Sequence, residues 1–304
     1  MKTFLTLLIL CIVIASCKQK NPESGTSDTT YITRNYLTVR KYLDTLNAKM
    51  QGELDSTGAY TIPYTDLTNG KKRLVFIGAS HGRSVGDPQF TLIEKVFKEA
   101  NPEIAFNEGG QIPEDRIYPS LDSAVRHDGE TGCLKYLCDE ADIKMLNGDM
   151  DDQEEFAALQ KTIPKDQIHL YMAVERFLNP YKHGRYNDMA LEEAYQKKFI
   201  AYLNRSKFIL TDKEKSFPYL QKLYKHHLNQ ELILDSLLEV HEYYLIDEGI
   251  FGNVGRATKE VRDHALLKKI DEALNKYDRV FVVFGGSHRI AVEPALKQII
   301  SKNR

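Results

Sequence analysis

Tryptophan is absent from this 304-residue chain, cysteine occurs four times, and glycine and proline, at 18 and 10 copies, are not enriched. Each shortage removes a class of protein. Four cysteines are too few to staple a disulfide-built scaffold of this length. The glycine and proline content excludes a collagen-like or low-complexity chain. Charge of one sign is also missing: the formal net charge is −2 at pH 7, so no basic excess steers the chain toward nucleic acid. Neither the Cys/His spacing of a zinc finger nor the EF-hand calcium loop occurs. What is present is ordinary for a soluble globular protein, 42% hydrophobic and 28% charged, with enough mass for a sizeable core.

Long apolar runs are scarce as well. The main one, Phe4 to Ile14, follows Met1-Lys2 and is too short to span a bilayer. This is the layout of a secretory signal. Ile14-Ala15-Ser16-Cys17 resembles the lipobox of bacterial lipoproteins, in which the cysteine is lipidated and becomes the mature N-terminus. A cleaved signal with an incidental cysteine is the plainer alternative. The expected organisation is a signal over 1–16, a lipidated Cys17 opening a Ser/Thr-rich tether over 17–30, and one domain over 31–304. The expected address is the bacterial cell envelope, held to the membrane through Cys17. Cys133 and Cys138 are read as two buried thiols, since a disulfide at that spacing needs a break in the helix between them.

The domain is organised around two similar stretches. Arg73-Leu74-Val75-Phe76-Ile77-Gly78-Ala79-Ser80-His81 returns near the other end as Arg279-Val280-Phe281-Val282-Val283-Phe284-Gly285-Gly286-Ser287-His288. Both runs are continuously apolar and rich in β-branched and aromatic residues, which predicts strands buried on two faces. Each stops at a glycine, with a histidine three positions later. Further strands are expected at 103–107, ending in Glu108, and at 143–147, ending in Gly148-Asp149. Residues 58–70 read as a turn-rich connection. Asp87-Pro88 caps a helix that Asn101-Pro102 stops.

Between about 153 and 276 no strand pattern appears. Helices are expected near 153–162, 167–179, 189–204, 213–228, 230–243 and 257–276, and a last one from Pro294. The predicted fold is α/β, a mainly parallel sheet flanked by helices, with a large all-helical insertion before the last core strand.

Parallel strands end along one edge, where open sheets of this kind keep their ligand sites. The edge residues are His81, Glu108, Asp149 and His288. A purely structural reading exists for each: His81 capping its loop, Glu108 or Asp149 capping a following helix. Repetition of the histidine turn argues against the first, and the two glycines after Glu108 against the second. Asp149 stays open, and with Ser80 and Ser287 it forms a second tier. Asp151, Asp152, Glu154 and Glu155 read as a solvated first helical turn. The remaining histidines, including His169 and His264, read as packed or solvated.

Two Gly-x-x-His turns bracketing a glutamate and a late arginine resemble the erythromycin esterase/ChaN-like superfamily, which includes the TraB and TIKI proteins. The matching positions are His81, Glu108 in Phe106-Asn107-Glu108-Gly109, His288, and Arg262 in Glu260-Val261-Arg262-Asp263-His264. The resemblance implies an envelope-anchored hydrolase acting on a small-molecule or peptide ester or amide. In it His81, helped by Glu108, activates water, Arg262 stabilises the oxyanion or grips a carboxylate of the substrate, and His288 orients water or protonates the leaving group. A variant gives His81, Glu108 and His288 to a divalent metal such as Mn, Co or Zn. ChaN-type relatives imply instead a lipoprotein that holds haem or iron without catalysis.

Overall fold

The computed structural model describes residues 31–52, 64–186, 188–237, 243–246 and 248–302. The signal, Cys17 and the tether lie outside the described residues. Five strands form one sheet: β1 (Tyr64–Asn69), β2 (Lys72–Ala79), β3 (Ile104–Asn107), β4 (Lys144–Asn147) and β5 (Arg279–Gly285), in the order β1-β2-β5-β3-β4. β2, β5, β3 and β4 are parallel, and β1 runs antiparallel to β2. The fold is α/β.

Residues 64–69, expected as part of a connection, are the edge strand β1. The sequence Tyr-Thr-Asp-Leu-Thr-Asn is too polar to signal a strand, and only Thr65 in it is buried. Backbone pairing with β2 makes the strand, closed by a tight turn at Gly70-Lys71.

The apolar runs of β2, β3 and β5 divide by alternation between two faces. Leu74, Phe76, Val280, Val282 and Phe284 pack with Leu266, Ile270, Leu296 and Ile299. Val75, Ile77, Phe281 and Val283 pack with Phe90, Ile93, Phe97 and Leu134 on the other face. Each fully buried side chain of this size contributes about 1.5–3 kcal/mol, so these two layers hold the sheet. Cys133 and Cys138 are free, buried thiols in the second layer, as expected.

The first face is covered by α11 (Ile250–Leu274) and α12 (Gly286–Lys302), the second by α2 (Pro88–Ala100) and α3 (Leu121–Glu140). α1 (Tyr36–Gly52) packs Tyr36 and Val39 against Ile290 and Ala291 of α12. α4 (Asp152–Leu159) opens the insertion. It continues as α5 (Lys165–Ala173), α6 (Asn179–Lys182), α7 (Leu191–Ala194), α8 (Ala201–Arg205) and α9 (Phe217–Leu228), with α10 (Tyr243–Ile246) before α11. Two π-helical turns, Val174–Leu178 and Tyr195–Ile200, join α5 to α6 and α7 to α8. The insertion has its own aromatic core, including Phe156, Phe177, Tyr195 and Phe199. Phe251 and Val254 of α11 belong to that core while Leu266 and Ile270 belong to the sheet, so α11 ties the two together.

Several expected boundaries move, among them the start of α11, at Ile250 rather than 257. The helix expected over 230–243 is not formed over 230–237, which are bends, a turn and irregular backbone; 238–242 lie outside the described residues, and α10 spans Tyr243–Ile246. The stretch 132–141, whose sequence reads as a helix of its own, is the end of α3, which starts at Leu121 and breaks at Asp128 and Gly129. The last helix starts at Gly286, and Pro294 lies inside it. Proline there leaves the carbonyl of Ile290 without its helical donor, and Arg34 Nη1 donates to that oxygen at 2.5 Å instead.

Candidate functional site

β2 and β5 pair with Gly78 opposite Phe284 and Ala79 opposite Gly285, so the two histidine turns leave neighbouring strands at the same level. β3 pairs with β5 on the other side, Asn107 opposite Val283, which puts Glu108 beside both. Strand order therefore gathers residues from opposite ends of the chain.

His81 stands two positions past β2 with a left-handed backbone, φ 55°. A non-glycine residue in that conformation costs about 1 kcal/mol or more, a strain that recurs at functional positions. Its Nδ1 lies 2.5 Å from Glu130 Oε1. Glu130 reaches it because α3 breaks at Asp128 and at Gly129, φ 58°, just before it. A side chain at Gly129 would meet the Gly82 carbonyl at 2.7 Å, so the break and the histidine loop fit only with glycine there. The hydrogen bond to Glu130 raises the His81 pKa above its ordinary value; burial opposes this, and the nearby Glu108 charge adds to it. Glu108, the expected helper, is not the direct partner: its Oε2 is 3.8 Å from His81 Nε2.

Glu108 is held by other groups. Arg262 Nη2 donates to its Oε1 at 2.9 Å and the Gly285 backbone N–H to its Oε2 at 2.6 Å. A Cβ on Gly285 would lie 3.0 Å from Glu108 Oε2 and 3.1 Å from His81 Nε2, so the bare backbone forms the floor of the site. Arg262 also grips Asp149 in a two-pronged pair, Nε to Oδ1 at 2.6 Å and Nη2 to Oδ2 at 2.7 Å. Burial pushes the Asp149 pKa up, but the hydrogen bonds and charge of Arg262 outweigh it and hold it below the usual carboxylate range. Asp149 thus shares Arg262 with Glu108, and the cap of α4 is Asp151.

His288, in the first turn of α12, is 1% exposed. Its Nδ1 lies 2.5 Å from Asp263 Oδ1 and 3.0 Å from the Tyr36 hydroxyl, which itself donates to Asp263 Oδ2 at 2.6 Å. Its Nε2 has no hydrogen-bond partner and sits 3.7 Å from Glu108 Oε1. Burial holds the imidazole well below its ordinary pKa, reinforced by the Lys259 and Arg262 cations, and burial likewise pushes Asp263 well up. The ring is neutral near pH 7.

His81, Glu108, Glu130 and Arg262 open onto a cleft of about 380 Å³, with Arg83, Ile112, Asp128 and Thr131 also in its wall. Of His81, Glu108, Arg262 and His288, the first three line the cleft, and His288 lies behind Glu108 rather than on it. The two second-tier serines do not line it either. Ser80 is exposed, with its N–H bonded to Gln89, and Ser287 Oγ accepts from the Tyr244 hydroxyl.

A divalent metal fits this donor set poorly. The Arg262 guanidinium and the Gly285 N–H already engage both oxygens of Glu108, and a cation added there would meet the guanidinium. Among the described residues no group of three His, Cys, Asp or Glu side chains is arranged to hold a metal ion.

Sequence reasoning missed Glu130, Asp263, Tyr36 and Lys259. One signal was readable: Lys259, Arg262 and Asp263 stand at i, i+3 and i+4 and share a helix face. Glu130 and Tyr36 carry no local signal, because a helix break and a docked N-terminal helix deliver them.

Compared with known proteins, no family model, no curated protein and no solved structure matches this chain. Among the described residues, no helix is long and apolar enough to cross a membrane. The class that stands is an α/β protein with a charged cleft at the carboxyl edge of its sheet.

Proposed function

We propose that the chain is a hydrolase of esters or amides, of the kind its resemblance to the erythromycin esterase/ChaN-like superfamily implies. The observation that carries this reading is the His81–Glu130 pair, whose free ring nitrogen faces the cleft beside a carboxylate fixed by Arg262. Glu130 fixes the Nδ1–H, so Nε2 is the accepting nitrogen. A water between His81 Nε2 and Glu108 Oε2 gives one proton to Nε2 as its oxygen attacks the substrate carbonyl carbon. The C–O or C–N bond then breaks, and the proton on His81 passes to the leaving oxygen or nitrogen. The products are a carboxylic acid and an alcohol or amine.

Glu108 orients the water, Arg262 and the Gly285 N–H fix Glu108, and His288 backs the same carboxylate from the protein interior. An envelope address with a lipid on Cys17 belongs to the same proposal. The haem-holding alternative calls for an apolar groove, and Ile112 is the one large apolar side chain in this cleft's wall.

The test is a panel of ester and amide substrates, with and without chelator, on wild type, His81→Ala, Glu130→Gln and Glu108→Gln. The reading expects turnover that His81→Ala lowers by about 100-fold or more and that chelator leaves unchanged. Equal residual turnover in all four proteins would remove it.

A further inference from the structure

The break in α3 spans Asp128 and Gly129, which leave the helical conformation at φ −131° and 58°. Asp128, Gly129, Glu130 and Thr131 all stand in the cleft wall. An unbroken helix would carry the Glu130 carboxylate in another direction, so whatever holds the break also aims that carboxylate.

An aspartate at a helix junction ordinarily caps the following turn, its carboxylate accepting from backbone N–H groups. Asp128 does otherwise. Its Oδ2 accepts from the Tyr118 hydroxyl at 2.5 Å and lies 3.6 Å from Arg116 Nη2. Among the described residues no backbone N–H donates to that carboxylate. Tyr118 is 6% exposed, with the Arg116 guanidinium 5.5 Å over its ring. Burial and the Asp128 bond push the Tyr118 pKa up to about 12, so its hydroxyl stays a donor throughout the neutral range.

Tyr118 belongs to the loop between Glu108 and α3. The start of that loop is tied to α3 a second time, where Thr131 Oγ1 donates to the Glu108 carbonyl at 3.0 Å. Glu130 therefore sits between two fastenings, Asp128 two residues before it and Thr131 one after. Both run to the stretch of chain that carries Glu108. With its backbone fixed on either side, Glu130 reaches His81 without the freedom that a glutamate on an open helix would have to lose.

We propose that Tyr118, acting through Asp128, is a positioning residue of the site: it holds the break in α3 that turns Glu130 toward His81. The kinetic consequence rests on the hydrolase reading; the effect on the His81 ring does not. The charged groups facing that ring are Glu130 at 2.5 Å and Glu108 at 3.8 Å, with the Lys259 charge opposing both. His288 lies behind Glu108, and Arg83, Asp128 and Arg262 complete the charges of the cleft wall. Tyr118→Phe leaves every one of these groups in place and changes only the aim of Glu130.

The test is nitrogen-15 NMR titration of the His81 ring, with kcat and KM for 4-nitrophenyl acetate. It compares wild type, Tyr118→Phe, Asp128→Asn, Asp128→Ala and the exposed-site control Tyr42→Phe, with Glu130→Gln as reference. In Tyr118→Phe and Asp128→Ala the His81 pKa falls part of the way to its Glu130→Gln value, and kcat drops about 3- to 10-fold. Asp128→Asn keeps an oxygen for the hydroxyl and stays near wild type, as does Tyr42→Phe. Tyr118→Phe added to Glu130→Gln lowers neither quantity further, because the tyrosine works through the glutamate. A Tyr118→Phe protein that melts earlier but titrates like wild type at His81 overturns the assignment, and so does an additive fall in the double variant. Should Tyr118→Phe not fold, Asp128→Ala decides by the same readout, its side chain being 38% exposed. A shifted His81 titration, with no ester or amide turned over by wild type, keeps the positioning role and removes the hydrolase reading. Turnover by wild type with the His81 titration unchanged in Tyr118→Phe does the reverse.

Discussion

Glu130 and His81 stand 49 residues apart in the chain, and their side chains meet with 2.5 Å between Oε1 and Nδ1. The contact exists because α3 breaks at Gly129 and because His81 accepts a left-handed backbone. Both irregularities serve the same pair.

Glu130→Gln therefore changes His81 in a defined direction. The wild-type imidazole has its pKa raised by Glu130, so the variant's value falls. Hydrolysis by a neutral-imidazole base begins at lower pH in the variant but with a weaker, less oriented base, and kcat/KM at its plateau drops about 10- to 100-fold. A pH–rate profile of both proteins reads the two effects. The stability linkage has the same origin. A raised histidine pKa contributes stability that is complete below the unfolded value of about 6.5 and is lost as pH rises through the folded value. The variant's deficit in denaturant unfolding is accordingly larger at pH 5.5 than at pH 9, and small, since the His81 side chain is 58% exposed.

Arg262→Met strands Glu108 and Asp149 without their shared cation. Removing one partner of a buried ion pair costs about 3–5 kcal/mol at neutral pH. Asp149 is held below the usual range in the wild type, so its contribution is present above the unfolded pKa and disappears as pH falls through the folded one. Urea unfolding at pH 7 and at acid pH, near the ordinary carboxylate value of about 4, shows the gap between wild type and variant shrinking on acidification.

Gly285→Ala places a methyl group 3.0 Å from Glu108 Oε2 and 3.1 Å from His81 Nε2. One of the two must move. The expected cost is about 1–3 kcal/mol of stability together with loss of most turnover. Gly86→Ala, at a position with nothing within 4 Å, is the matched control and leaves both unchanged.

Tyr36→Phe removes the hydroxyl that donates to Asp263 Oδ2 inside the core. A buried carboxyl losing a donor costs about 1–3 kcal/mol, which chemical denaturation measures. Because Tyr36 touches His288 and not the cleft, the loss in stability exceeds the loss in kcat/KM.

The parts of this arrangement that were legible in sequence are those written in buried strands. Leu74 to Ile77 and Val280 to Phe284 can only be interior, and once they are parallel neighbours, His81, His288 and Glu108 share an edge. β1 was not legible, since Thr65, Asp66, Thr68 and Asn69 give no apolar period and pairing with β2 alone makes the strand. The start of α12 was misplaced because Pro294 imitates a first helical position; the compensation by Arg34, about 250 residues earlier, is invisible locally. Glu130 was hidden by the same break that makes it useful. Asp263 and Lys259 were within reach, since helical spacing from Arg262 picks them out.

The account turns on which nitrogen of His81 faces the cleft unprotonated, and nitrogen-15 NMR titration of the histidine rings measures this directly. The account predicts a pKa above about 6.5 and, in the neutral form, a proton on Nδ1 shared with Glu130 and a bare Nε2, both lost in Glu130→Gln. A neutral His81 protonated on Nε2, or a titration indifferent to Glu130→Gln, would contradict it.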